Sequence, residues 1–354
     1  MIFTNIEKWG VPKNNEQVYR YILKNEFLEI GVLNYGGVIQ KILTPDKNGK
    51  FENIVLGFDS IDEYEKYANC SPHFGAIVGR NAGRIKEGKL IINGELYQLG
   101  INNGNNNLHG FPDFYGQKIW NGELKEEGEK IVLTLKRTSP HLESNFPGNV
   151  EFTVRYILEK NSLTLEYVGI PDRDTYINLT NHTYFNLSGN YKRDIGNQNI
   201  KLFCNKYLEV NEETLPTKIS DVENTIFDLR KGRKFNEVFN SSDKQVEIVN
   251  NGFDHPFVFA ENEKINGECY DEESGRNLKL ITNQPVVVVY TGNYLSDIEK
   301  VSGDVKGKNH LGFCLETQDY PDVLKFIPEK SHLYNSNKKY YQKTTFIFNC
   351  FVKK

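Results

Sequence analysis

The 354-residue sequence is poor in sulfur and tryptophan, with one Met, two Trp and five Cys. The cysteines, at 70, 204, 269, 314 and 350, are odd in number and scattered, and no CxxC pair occurs. That excludes a zinc ribbon and a redox dithiol. Cys204, Cys314 and Cys350 sit among Phe and Leu and are expected to be small buried hydrophobes. No HExxH or HxH motif is present, and His109 and His182 stand far apart in sequence, so no metal site is expected. Without a GxSxG elbow or a GxGxxG loop after a strand, the simplest serine-hydrolase and nicotinamide-enzyme readings fall away. Positive charge is also missing: 43 basic residues face 47 acidic ones, a net charge of -4. No field exists to gather phosphates, so nucleic acid is excluded as a partner. The densest apolar run, Val286 to Tyr290, is far short of the roughly 20 residues that span a bilayer. The first ten residues, MIFTNIEKWG, resemble neither a signal nor a transit peptide, and a cytoplasmic location with no membrane partner is expected.

What the sequence has is aromatic residues, 20 Tyr and 22 Phe, which suit half-buried strands better than helix interiors. Strand-like segments recur at Tyr19–Leu23, Phe27–Leu33, Val38–Leu43, Lys89–Ile92, Ile131–Leu135, Glu151–Leu158, Leu163–Val168, Lys279–Ile281, Val286–Thr291 and Thr345–Phe351. Turn residues separate them, as in Asp46-Lys-Asn-Gly49. Only Asp59–Tyr67 reads as a helix, two turns behind an Asp or Ser cap. The pattern predicts an all-β protein, a large antiparallel β-sandwich, with residues 1–354 forming a single domain.

Residues 177–189, INLTNHTYFNLSG, carry the most chemistry. With a period of two, Ile177, Leu179, Phe185 and Leu187 fall on a mostly apolar face. Asn178, Thr180, His182, Tyr184, Asn186 and Ser188 fall on a face that is entirely hydrogen-bonding, with neither Lys nor Glu. An imidazole, a phenol and two amides suit a sugar, which stacks its C–H surface on a ring and hydrogen-bonds through its hydroxyls. Asn178, Asn181 and Asn186 also open glycosylation sequons; without a signal peptide these go unused and the amides need another role. Glu316 follows Phe313-Cys314-Leu315, which desolvates a carboxylate and makes it a stronger base. His109 closes an amide-rich loop, NNGNNNLHG, and GRNAGRI places Arg80 and Arg84 among small residues, where an arginine meets either a sugar hydroxyl or an acid.

Together these segments resemble the aldose 1-epimerase (galactose mutarotase) family. The motifs run in that family's order: YGG at Tyr35–Gly37, FGAIVGRNAGRI at Phe74–Ile85, NNLHG at Asn106–Gly110, NLTNHTYFNLSG at Asn178–Gly189, FDLR at Phe227–Arg230, NGFDHPF at Asn251–Phe257, YTGNYL at Tyr290–Leu295 and GFCLETQDYPD at Gly312–Asp322. The resemblance implies a β-sandwich that binds a free monosaccharide across one sheet face, with no metal and no cofactor, as a monomer or homodimer. By motif, Glu316 would be the general base and His182 the general acid, with Arg84, His109 and Asp254 holding hydroxyls. Tyr184, on the same strand face as His182, joins them as a substrate-binding residue. Two positions depart from the family pattern, Gly83 where many members have Asn and Val288 where many have a Gln that touches the sugar. The implied reaction is interconversion of the α and β anomers of a free hexose, with a bell-shaped pH profile governed by the acid–base pair. The alternatives are a non-catalytic sugar-binding domain and a glycoside hydrolase using Glu316 and Asp254 as paired carboxylates.

Overall fold

Alternation of apolar and polar residues dictates the sheets. In the strand Val150–Glu159, the residues Val150, Phe152, Val154, Tyr156 and Leu158 are buried while those between them face outward. Ser162–Pro171 repeats the pattern beside it, pairing Tyr156 with Leu165 and Val154 with Tyr167. The structure, a computed structural model, describes residues 2–68, 72–261, 263–322 and 333–351. Among these, three larger sheets of five, nine and six strands are built from antiparallel pairs. One core joins them: Ile30 and Ile39 from the five-stranded sheet, Leu133 and Val154 from the nine-stranded sheet, and Phe257, Val289 and Leu315 from the six-stranded sheet. The result is the antiparallel β-sandwich that the sequence predicts.

The expected strands lie within or across observed ones, with shifted ends; Phe27–Leu33 begins at Glu29 and Thr345–Phe351 is the last part of Tyr340–Cys350. The expected helix is Ile61–Lys66, with Ser60 as a cap that accepts the Glu63 N–H and a Glu63 side chain that reaches back to the cap. Cys204 and Cys314 are buried as expected, but Cys350 is only half-buried, because it ends an exposed strand terminus; Cys70 lies outside the described residues. No helix among the described residues is long and apolar enough to cross a membrane.

The segment 177–189 departs from its expected form. Instead of one strand with a wet face, it makes two-residue bridges at Thr180–Asn181 and Tyr184–Phe185, and every residue in it is buried. Its polar side chains hold backbone. Asn178 Oδ1 accepts the Asp319 N–H, Thr180 Oγ1 donates to Thr317 O, and Asn186 Nδ2 donates to Arg193 O and Leu311 O. The sequon amides therefore satisfy buried peptide groups, which a segment leaving and re-entering sheets would otherwise strand.

Candidate active site

The floor of the site follows from strand register. In the six-stranded sheet, Tyr184–Phe185, Phe313–Gln318, Val286–Tyr290 and Asp254–Phe259 lie side by side. Directly paired residues share a face, so Tyr184, Cys314, Tyr290 and Asp254 form one row and Glu316, Val288 and Pro256 the next. The intervening residues, Phe313, Leu315, Val287, Val289 and Phe257, point into the core. Over this floor lies a cavity of about 410 Å³, whose lining includes Arg84, His109, His182, Tyr184, Asp254 and Glu316. The structure thus brings together all six residues singled out in the sequence.

His182 enters just before the Tyr184–Phe185 strand, fixed by its N–H donating to Ala76 O (2.9 Å) and its carbonyl accepting the Gly75 N–H (3.0 Å). Its Nε2 lies 3.5 Å from Glu316 Oε1, and its Nδ1 lies 3.4 Å from Cys314 Sγ. The ring stacks on Tyr184, with centroids 5.0 Å apart and planes 23° apart. Glu316 and His182 are 4% and 6% exposed, so neither is screened by bulk water. Burial raises the Glu316 carboxyl well above its ordinary range; the Asp254 charge adds to this and Arg84 opposes it. Burial lowers His182 to about 3, helped by His73. These opposite displacements favour the uncharged form of the pair, with the proton on the carboxyl.

Arg84 and His109 come from a short ladder in which Leu108 pairs with Arg84. His109 has a positive φ of 58°, and its Nδ1 accepts the Gly83 N–H at 3.2 Å. Its other nitrogen is then the proton-bearing one, a donor aimed at the pocket. Arg84 Nε donates to Asn103 Oδ1 at 2.8 Å, and its Nη1 stands 3.9 Å from Asp254 Oδ2. Burial raises the Asp254 carboxyl, while Arg84 pulls it down. Arg80 of the same motif turns the other way, buried and donating to Pro147 O, Gly148 O and Thr175 Oγ1. The amides of the loop before His109 mostly serve that loop: Asn102 bonds Leu108 through both its amide groups, and Asn107 donates to Gly100 O and Phe111 O.

Among the lining residues that sequence reasoning did not single out are His73, Tyr290 and Gln318. His73 packs edge-on against His109 at 5.1 Å, and burial lowers its pKa to about 4. It sits next to a proline in an unremarkable stretch, and nothing local marks it. Tyr290 and Gln318 were legible, since each shares a strand face with a residue already singled out. Among the described residues, His109, His182 and Glu316 are the group whose donor atoms, within 4.8 Å of one another, could close on a metal. The Gly83 N–H on His109 Nδ1 works against this, because it leaves a proton where a metal needs a lone pair.

A family model described as aldose 1-epimerase matches residues 19–346. The chain belongs to the aldose 1-epimerase family. It is 34% identical to the galactose mutarotase of Rattus norvegicus over 343 residues, 96% of each chain. It is 33% identical to the aldose 1-epimerase of Haemophilus influenzae, covering 85% of this chain and 87% of that one. Among solved structures, a galactose 1-epimerase from Lactobacillus acidophilus superposes with a TM-score of 0.87 at 28% identity, over 99% of both chains. This family member is an isomerase that interconverts sugar anomers. Neither the binding-domain nor the hydrolase alternative finds support in these relatives.

Proposed function

We propose that Glu316 and His182 carry out anomer interconversion on a free hexose of the galactose or glucose type, with Arg84, His109, Tyr184 and Asp254 holding it. The whole chain acts as one unit around this pocket, without metal or cofactor. The observation that carries the reading is the Nε2–Oε1 distance of 3.5 Å between two buried groups displaced in opposite directions. A neutral imidazole beside a protonated carboxyl has the same proton count as an imidazolium beside a carboxylate. Moving that one proton converts the resting pair into the working pair. Sugar hydroxyls that hydrogen-bond the charged forms favour the transfer.

The reaction then needs two further proton movements. Glu316 takes the proton of the anomeric hydroxyl, and the carbonyl forms as the bond from the anomeric carbon to the ring oxygen breaks. The electron pair stays on the ring oxygen, which takes the proton of His182. Rotation about the bond between the first two carbons presents the other carbonyl face, and closure runs the same steps backward. Positioned acid–base pairs contribute about 10²- to 10⁴-fold. Polarimetry of freshly dissolved α-galactose and α-glucose tests the reading: wild type accelerates relaxation, and a rate equal to that of buffer with every common aldose refutes it.

A further inference from the structure

Along Phe313–Gln318, alternate side chains point the same way, so Cys314, Glu316 and Gln318 share the pocket face. The first two have partners on His182: Cys314 Sγ at 3.4 Å from Nδ1 and Glu316 Oε1 at 3.5 Å from Nε2. Gln318 has none. It is fully buried, and neither its Oε1 nor its Nε2 makes a hydrogen bond. Its paired neighbour on the Val286–Tyr290 strand is Val286, and the diagonal one is Val288, so that strand offers the amide nothing to bind. A buried primary amide with both ends unpaired is costly, and native structures retain few of them without a reason.

Beside this amide, the missing side chain of Gly83 leaves a gap about the size of a methyl group. A Cβ there would lie 3.6 Å from Gln318 Nε2 and 3.6 Å from Pro321 Cβ, which is uncrowded contact. The backbone at Gly83, with φ +78°, favours glycine, and the notch stays open. Gln318 is two residues from Glu316, about 7 Å along the strand. That spacing is within the span of a pyranose, so one with its anomeric hydroxyl on Glu316 and its ring lying along this strand brings a remote hydroxyl to the notch. A short swing of the terminal amide meets it.

We infer that Gln318 is a specificity-determining residue, whose carboxamide binds one sugar hydroxyl remote from the anomeric centre. The inference rests on the proposed reading only in taking a hexose as the ligand. Calorimetric titration of wild type and Gln318→Leu with D-galactose, and with its monodeoxy analogues one position at a time, tests it without requiring catalysis. The expected result is galactose affinity about five- to tenfold weaker in the variant. For one analogue alone, the one lacking the bound hydroxyl, the two proteins bind alike. In polarimetry KM carries the loss while kcat changes less than about twofold, and the melting temperature of the free variant does not fall. Equal galactose affinity, or the same factor for every analogue, overturns the proposal. Gln318→Met, of similar length, provides the same comparison if the Leu variant fails to fold. Wild type that binds galactose through Gln318 but does not hasten relaxation refutes only the catalytic reading; acceleration with unchanged Gln318→Leu affinity refutes only this one.

Discussion

Arg84 is the cation that opposes the raising of both pocket carboxyls, and its removal gives a signed prediction. Burial and the Asp254 charge push the Glu316 carboxyl up, and Arg84 pulls it down. Replacing Arg84 by Met removes the opposing charge, so Glu316 holds its proton to higher pH. The active pair carries one proton. Activity then falls at low pH as His182 takes up a second proton, around its lowered value of about 3, and at high pH as Glu316 loses the first. The alkaline limb of kcat/KM, which reports the free enzyme, must therefore move upward. An opposite charge within about 4–6 Å moves a carboxyl by about 1–3 units. Arg84 is shared with Asp254, 3.9 Å away, which keeps its effect on Glu316 smaller than that of an exclusive partner. Other charged and titratable lining groups, Tyr67, His73, His109, Asp254, Tyr290, Tyr294 and Asp297, stay in place in the variant, and Asp254 and His109 also lose the lowering influence of Arg84. Polarimetric rates from pH 4 to 10 measure the limb, with Arg84→Lys as a control that keeps the charge. A limb unmoved in the Met variant, or moved downward, or moved equally in Lys and Met, refutes the electrostatic account.

Stability gives further checks. The folded pKa of Glu316 is raised above its unfolded value of 4.5, so its contribution to stability is fully present below that value and is lost as pH rises. Glu316→Gln should therefore melt higher than wild type at pH 7, by about 2 °C or more, and the gain should vanish near pH 4; a pH-independent difference contradicts this. Glu52 is the opposite case, buried against Arg276 (3.1 Å) and Lys192 (2.6 Å) and lowered to about 2, the cations outweighing the cost of burial. Its stabilisation is present above pH 4.5 and is lost as pH falls towards 2. Glu52→Gln leaves Arg276 uncompensated and should lose about 3 kcal/mol in chemical denaturation. Because Arg276 also donates to Ser188 O, that loss should loosen the end of the His182 segment, measurable as faster amide exchange around residue 188. His109→Leu removes both the donor aimed at the pocket and the acceptor for the Gly83 N–H. It should raise KM about tenfold with a smaller change in kcat, and a change confined to kcat counts against a binding role.

The sheets were legible because their strands alternate cleanly: Val150–Glu159 and Ser162–Pro171 bury every second residue. The six site residues were legible too, but what the neighbouring polar residues do was not. Asn178, Thr180 and Asn186 have the composition of a ligand-binding face, yet they bond peptide groups of other segments. A period of two assumes a continuous strand, and this segment is not one, because it passes between sheets in two-residue bridges. Likewise Arg80 and Arg84 look alike in sequence, and only tertiary packing separates the buried one from the pocket one. His73 joins the site through a loop whose destination no local pattern encodes. The protonation of the pair was also hidden. Apolar neighbours of Glu316 signal a raised carboxyl, but the lowering of His182 depends on burial and on His73, which only the fold brings to it.

The central claim is that Glu316 and His182 together interconvert the anomers. Optical rotation of freshly dissolved α-galactose, followed with wild type, Glu316→Gln and His182→Asn, tests it most directly. The account predicts rapid relaxation with wild type and a loss of about 10²-fold or more in each variant, with both variants folded and still binding the sugar. Full activity in either variant contradicts it.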